Sequence, residues 1–122
     1  MESKTLQNIF IIILVTIIIY QIYGYFMNSN NIKQIIYFSS ATCGHCARFQ
    51  SIWDQFVHDY AHQNQNIQLI QIDTNDSNYR LSQMYNVQGF PTVLAIENNI
   101  QKLRMMGPKT YQNLVQFWNA VQ

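Results

Sequence analysis

One stretch of this chain decides how much of it can be a folded domain. Residues 9–27 carry no charge, and only Thr16, Gln21 and Gly24 interrupt a run rich in Ile, Tyr and Phe. As a helix rising ~1.5 Å per residue, the run covers ~28 Å, close to the ~30 Å hydrocarbon thickness of a bilayer. Tyr20, Tyr23 and Tyr25 gather at its C-terminal end, where amphipathic rings suit the membrane–water interface. The reading is one transmembrane helix, behind a short tail (1–8) and ahead of a polar linker (28–31). A cleaved signal peptide competes with it, but Tyr25, Phe26 and Met27 stand where cleavage needs small residues. A core helix of a soluble protein is the third reading. Lys4 and the α-amine lie outside one end, offset by Glu2, and Lys33 lies beyond the other. That balance favours an N-terminus inside and the remainder translocated.

Residues 32–122 remain, enough for one domain. Seven Lys and Arg against six Asp and Glu give a net charge of +1, which leaves no basic field for a nucleic acid. An apolar share of 48% with so little net charge excludes disorder.

Residues 33–38 (KQIIYF) form a short apolar run rich in strand formers, read as a strand buried on both faces. Apolar residues then recur at Cys46, Phe49, Trp53, Phe56, Val57 and Tyr60, the spacing of an amphipathic helix. Residues 67–73 (IQLIQID) read as a second buried strand, so strand, helix and strand make a βαβ unit with a parallel pair. A short helix is expected at 78–85. Strands at 92–97 and 101–106 flank Asn98-Asn99, a two-residue hairpin signal. Leu114, Phe117, Trp118 and Val121 share one face of a closing helix at 110–121. The fold class is α/β: a small mixed sheet with helices on its faces, preceded by one transmembrane helix.

The chemistry sits at Cys43-Gly44-His45-Cys46, the only two cysteines of the chain. They are too close in sequence to staple a fold, so the pair is chemical or metal-binding. Cys43 falls where a strand passes into a helix, and the unpaired N–H groups and dipole of a helix N-terminus favour an anion. The thiolate is the attacking species in disulfide exchange. Cys46 lies one helical turn on, at the start of the apolar stripe, so it is the more buried partner: Cys43 attacks and Cys46 resolves. His45 between them can add positive charge beside the thiolate. As half of a zinc site the pair lacks a second C-x-x-C or a nearby His pair. His58 and His62, four apart without the glutamate of a zincin motif, read as solvated surface residues.

Ser40-Ala41-Thr42-Cys43-Gly44-His45-Cys46 after a buried strand, and Val87-Gln88-Gly89-Phe90-Pro91-Thr92 before another, resemble the thioredoxin superfamily. The CGHC core and the V-x-G-F-P-T run are most similar to protein disulfide isomerase domains. The resemblance covers roughly 32–122 and implies thiol–disulfide oxidoreductase activity on cysteine-containing protein substrates, with a redox partner and no cofactor beyond the dithiol. It implies that Pro91 is cis and packed against Cys43, and that the backbone of Phe90 pairs with an extended substrate segment, flanked by Gly89 and Thr42. Gly107 corresponds to the family's glycine between last strand and closing helix. Four positions depart from the pattern. The buried acid of the strand before the motif is here Tyr37, and Thr42 stands where an aromatic residue commonly precedes the first cysteine. Pro108, with Lys109 next to it, replaces the arginine after the last glycine. The family's first strand and helix are missing, the apolar segment standing in their place. Without the acid, release of mixed disulfides is expected to be slow. A reductase, or a redox-poor membrane-bound chaperone, stays open as an alternative.

Overall fold

The computed structural model describes residues 2–27 and 31–122, which form two separate units, a lone helix and a domain. Residues 28–30 of the expected linker lie outside the described residues. Helix α1 runs Glu2–Met27, beginning ahead of the apolar run because no Gly or Pro before Gly24 stops it. It is apolar all round and none of its residues is buried, so by length and composition it is a candidate membrane span. The Thr16 hydroxyl donates to the Ile13 carbonyl at 2.8 Å, satisfying inside the helix a group that lipid could not.

In the domain the elements are β1 (Lys33–Ser39), α2 (Gly44–Tyr60), β2 (Ile67–Asp73), α3 (Tyr79–Met84), β3 (Thr92–Glu97), β4 (Ile100–Arg104) and α4 (Tyr111–Val121). The four strands form one mixed sheet in the order β2-β1-β3-β4. β1 pairs parallel with β2 and antiparallel with β3, and β3 antiparallel with β4. Alternation along β1 divides the core. Ile35 and Tyr37 join Phe49, Trp53 and Phe56 of α2 and Leu114 and Trp118 of α4 on one face. Ile36 and Phe38 join Leu94, Ile96 and the half-buried Leu81, Tyr85 and Phe90 on the other. α2 and α4 thus cover one face of the sheet, and α3 with its following loop covers the other. The aromatic chain Tyr37–Trp53–Phe56–Trp118, with ring centroids 5.3, 5.9 and 6.0 Å apart in turn, ties β1 to both helices.

Two expectations need correction. β2 is not buried: only Ile67 is, while Gln68, Gln71 and Asp73 are exposed. It is the edge strand beside β1, and solvent along one side tolerates its polar residues. The last strand is Ile100–Arg104 rather than 101–106. Asn98 and Asn99 take φ of +53° and +62°, a tight turn that sets Ile100 opposite Glu97. A bulge between Ala95 and Ile96 then shifts the register, and Met105 leaves the strand although its amide still donates to Val93 at 2.9 Å.

Candidate active site

β1 delivers the chain to the motif. After Ser39 a turn closes with the Cys43 amide donating to the Ser40 carbonyl at 3.1 Å. Cys43 is the N-cap of α2, extended at φ −94°, ψ 110°, and its sulfur accepts the Cys46 amide at 3.1 Å. One of the orphan donors of the helix is therefore satisfied by sulfur, where a cap would ordinarily offer oxygen. Half-buried, the Cys43 thiol also points at the Phe90 carbonyl, 3.5 Å away. Phe90-Pro91 is a cis peptide bond, and the Cys43–Phe90 contact brings the two motifs, 47 residues apart, to one point.

Cys46 lies behind, 4% exposed. Burial pushes its thiol pKa up, and its hydrogen-bonded contact with Cys43 adds to that. Tyr37, fully buried, stacks edge-on against Phe49 with centroids 4.9 Å apart, and its hydroxyl donates to the Cys46 carbonyl at 3.4 Å. Burial, with Cys46 beside it, pushes this phenol far above its ordinary value, so it holds its proton and cannot serve as a base near neutral pH.

The remaining expected residues are placed as follows. Thr42 is exposed before the cap, its hydroxyl 3.4 Å from that of Ser40. Gly89 is exposed and its carbonyl accepts the Thr92 hydroxyl at 2.6 Å, which steadies the turn into Pro91. His45 is exposed, and its Nδ1 accepts from Arg48 Nη2 at 2.8 Å. A guanidinium only donates, so Nδ1 accepts here, and the fixed positive charge of the pair belongs to Arg48. Lys109 is half-buried and donates to the carbonyls of Met105 and Gly107 at 3.2 and 3.1 Å. His58 is exposed on α2 and meets Asp59 at 3.2 Å. Among the described residues no three His, Cys, Asp or Glu side chains gather as a metal site.

Sequence reasoning passed over two hollows beside the motif. One is a groove of about 340 Å³ lined by His45, Arg48, Ile52, Pro91, Pro108 and Lys109. The other, a smaller recess of about 210 Å³, meets Cys43, Cys46, Ser39, Gln50 and Asp73. There the Ser39 hydroxyl donates to Asp73 at 2.8 Å across the β1–β2 pairing. Arg48 had a signal, its i,i+3 spacing from His45. The Ser39–Asp73 contact had none, because it needs the strand register.

The cysteine at the helix cap, the buried second cysteine and the cis-proline loop meet at one point of an α/β domain. The chain belongs to the thioredoxin family: residues 16–120 match the model of that family, described as Thioredoxin. Over 87 residues, 71% of this chain, it is 26% identical to protein disulfide-isomerase TMX3 of Xenopus laevis, spanning 19% of that protein's length. Among solved structures it is similar to the first two thioredoxin domains of Naumovozyma dairenensis Eps1p, with a TM-score of 0.64 at 21% identity, covering 72% of this chain and 34% of that one. It is similar also to the first thioredoxin domain of mouse protein disulfide-isomerase A4, with a TM-score of 0.65 at 19% identity, covering 80% and 67%. These two structures speak to the fold.

Proposed function

We propose that this chain is a membrane-anchored thiol–disulfide oxidoreductase of the oxidase or isomerase type. On this reading α1 holds the domain on the lumenal or extracytoplasmic side, where it acts on cysteine-containing protein substrates. One observation carries it: Cys43 sulfur stands at the N-cap of α2, takes the Cys46 amide at 3.1 Å and lies 3.5 Å from the Phe90 carbonyl. That placement offers an anionic sulfur a helix dipole and an amide, beside a backbone able to pair with an extended substrate.

In the oxidising direction a substrate thiolate attacks Cys43 sulfur of the Cys43–Cys46 disulfide. A substrate–Cys43 bond forms, and Cys46 leaves as a thiolate that then takes a proton. A second substrate thiolate attacks the substrate sulfur of this mixed disulfide and Cys43 leaves. The substrate loses two electrons to the pair, and a redox partner removes them again. In isomerisation the Cys43 thiolate attacks a substrate disulfide and is displaced by another substrate thiolate, with no net electron change. The dithiol is the only redox group either route requires. Phe90, Gly89 and Thr42 would contact the substrate, with Pro91 holding the strand against the sulfur.

Trapping tests the assignment. In Cys46→Ser, attack survives while resolution is lost, so mixed disulfides through Cys43 should accumulate in alkylated, non-reducing gels. Cys43→Ser should trap almost none, and equal trapping by both variants would overturn the roles. Tyr37, in place of an acid, favours a second reading, a binding module that turns over poorly. Insulin reduction and dithiol oxidation separate that module from an enzyme. The reduction potential sorts the direction: about −270 mV marks a reductase and about −180 to −120 mV an isomerase or oxidase.

A further inference from the structure

The groove of about 340 Å³ beside Pro91 carries cations and no carboxylate among its lining residues. Two of them, Arg48 and Lys109, come from elements far apart in sequence. Arg48 spends a guanidinium N–H on the neutral Nδ1 of His45, a partner that leaves its charge uncompensated. Lys109 is held by two carbonyls, those of Met105 and Gly107. An ammonium has three donors, so one is left for a ligand. Lys109 is half-buried, and burial together with Arg104 lowers its pKa. An anion in the groove would relieve both effects. Phe49, Ile52 and Pro91 add apolar surface to the same groove, suited to the aliphatic stem of a side chain whose head is charged. The recess that reaches Cys43 bears the reverse sign: Asp73 lines it, held by Ser39. The groove adjoins the same motif through His45 and through Pro91, which follows the Phe90 whose carbonyl Cys43 meets, so cations and an acid stand in separate hollows beside the site.

We propose that this groove selects substrates with an acidic side chain close to the reactive cysteine, Lys109 and Arg48 being the specificity-determining residues. The inference rests on the thiol–disulfide reading and narrows its substrate class. Pairing takes place at a half-open surface, where an ion pair contributes modestly, so each cation should shift selectivity by roughly two- to fivefold. The gain should fall at high salt, where exposed charges are screened.

The test uses the full chain, reduced, in a nonionic detergent. The substrates are three peptides that share one intramolecular disulfide and carry Glu, Gln or Lys beside the attacked cysteine. In each single turnover the Cys43 thiolate breaks the peptide disulfide, and Cys46 then displaces the peptide as a dithiol, leaving the pair oxidised. Each second-order rate constant is divided by that of the same peptide with dithiothreitol, which removes the peptide's own reactivity. The expected order is Glu above Gln above Lys, compressed at high salt. Lys109→Gln and Arg48→Gln should each bring the Glu-to-Gln ratio toward one, and Lys109→Glu should invert it. Lys102→Gln, which removes an exposed cation of β4 outside the groove, should leave the ratio alone. Equal normalised rates for the three peptides, or a ratio indifferent to Lys109 and Arg48, would overturn the proposal while exchange itself stands. No exchange with any peptide would overturn the thiol–disulfide reading and this inference with it.

Discussion

Tyr37 shows most sharply how one residue can set a rate. Its ring fills the core between Phe49 and Trp53, and its hydroxyl lies against both the carbonyl and the thiol of Cys46. The phenol cannot accept the proton that Cys46 must lose, and burial has already raised the Cys46 pKa above its ordinary 9.0. Below that raised value the Cys46 thiolate fraction grows about tenfold per pH unit. Decay of the Cys43 mixed disulfide through attack by Cys46, followed in single turnovers of the reduced protein with a disulfide substrate, should therefore climb steadily between pH 6 and 9 without a plateau. Tyr37→Glu supplies a carboxylate, so it should speed decay at neutral pH and flatten the profile. It should also destabilise the domain, because a polar group replaces a packed ring. Unchanged decay in a folded Tyr37→Glu variant would mean that another group or solvent already serves Cys46. At this scale the pair, the deeper burial of Cys46 and the oddity of Tyr37 were legible in sequence. The partner of His45 was not, since Arg48 reaches Nδ1 only once α2 has formed.

Between elements, α2 and α4 are joined through more than apolar contact. The Tyr111 hydroxyl at the start of α4 donates to Asp59 near the end of α2. This bond, with help from Gln55 and His58, lowers the Asp59 pKa below 3.8, and the same carboxylate pushes Tyr111 up to about 12. A carboxyl whose folded pKa is depressed adds stability above its unfolded value and loses it as pH falls through the folded one. Tyr111→Phe should accordingly lower the urea midpoint at pH 7, by an amount that shrinks as the pH drops below 3.8. A penalty equal at pH 7 and pH 2.5 would show that packing, and not this bond, carries the effect. The Asp59–Tyr111 contact spans 52 residues, and no local pattern announces it. The faces it joins are another matter: Phe49, Trp53 and Phe56, and likewise Leu114, Phe117, Trp118 and Val121, recur at helical spacing and are all buried.

For the whole molecule the proposed function requires the domain to lie on a lumenal or extracytoplasmic side. Lys4 and the α-amine against Glu2 and Lys33 set a small bias toward a translocated domain, and a disulfide-forming activity belongs in an oxidising compartment. Protease added to sealed vesicles should reach the domain only from the lumenal or periplasmic face and spare the N-terminal tail. Digestion from the cytosolic face would shift the assignment to a reductase.

Local composition was enough for several features of this protein. An uncharged run of the right length reads as a helix able to cross a membrane, because lipid demands only that the backbone bond to itself. Apolar runs, an Asn-Asn turn signal and helical spacing located the strands and the two longer helices of the domain, and a cysteine pair at a strand-to-helix junction located the sulfur that caps α2. These are properties of neighbours in the chain. What only the tertiary structure decided depends on partners distant in sequence. β2 became an exposed edge because no strand pairs beyond it. The Phe90 carbonyl, just ahead of Pro91, came to stand 3.5 Å from the Cys43 sulfur. The groove and the recess beside the motif acquired opposite charge because α2 and the loop after β4 line one while the β1–β2 register lines the other. Burial and electrostatics are set by everything within a few ångströms, whatever its position in the chain, and that is why the charge distribution around the site emerges only in the fold.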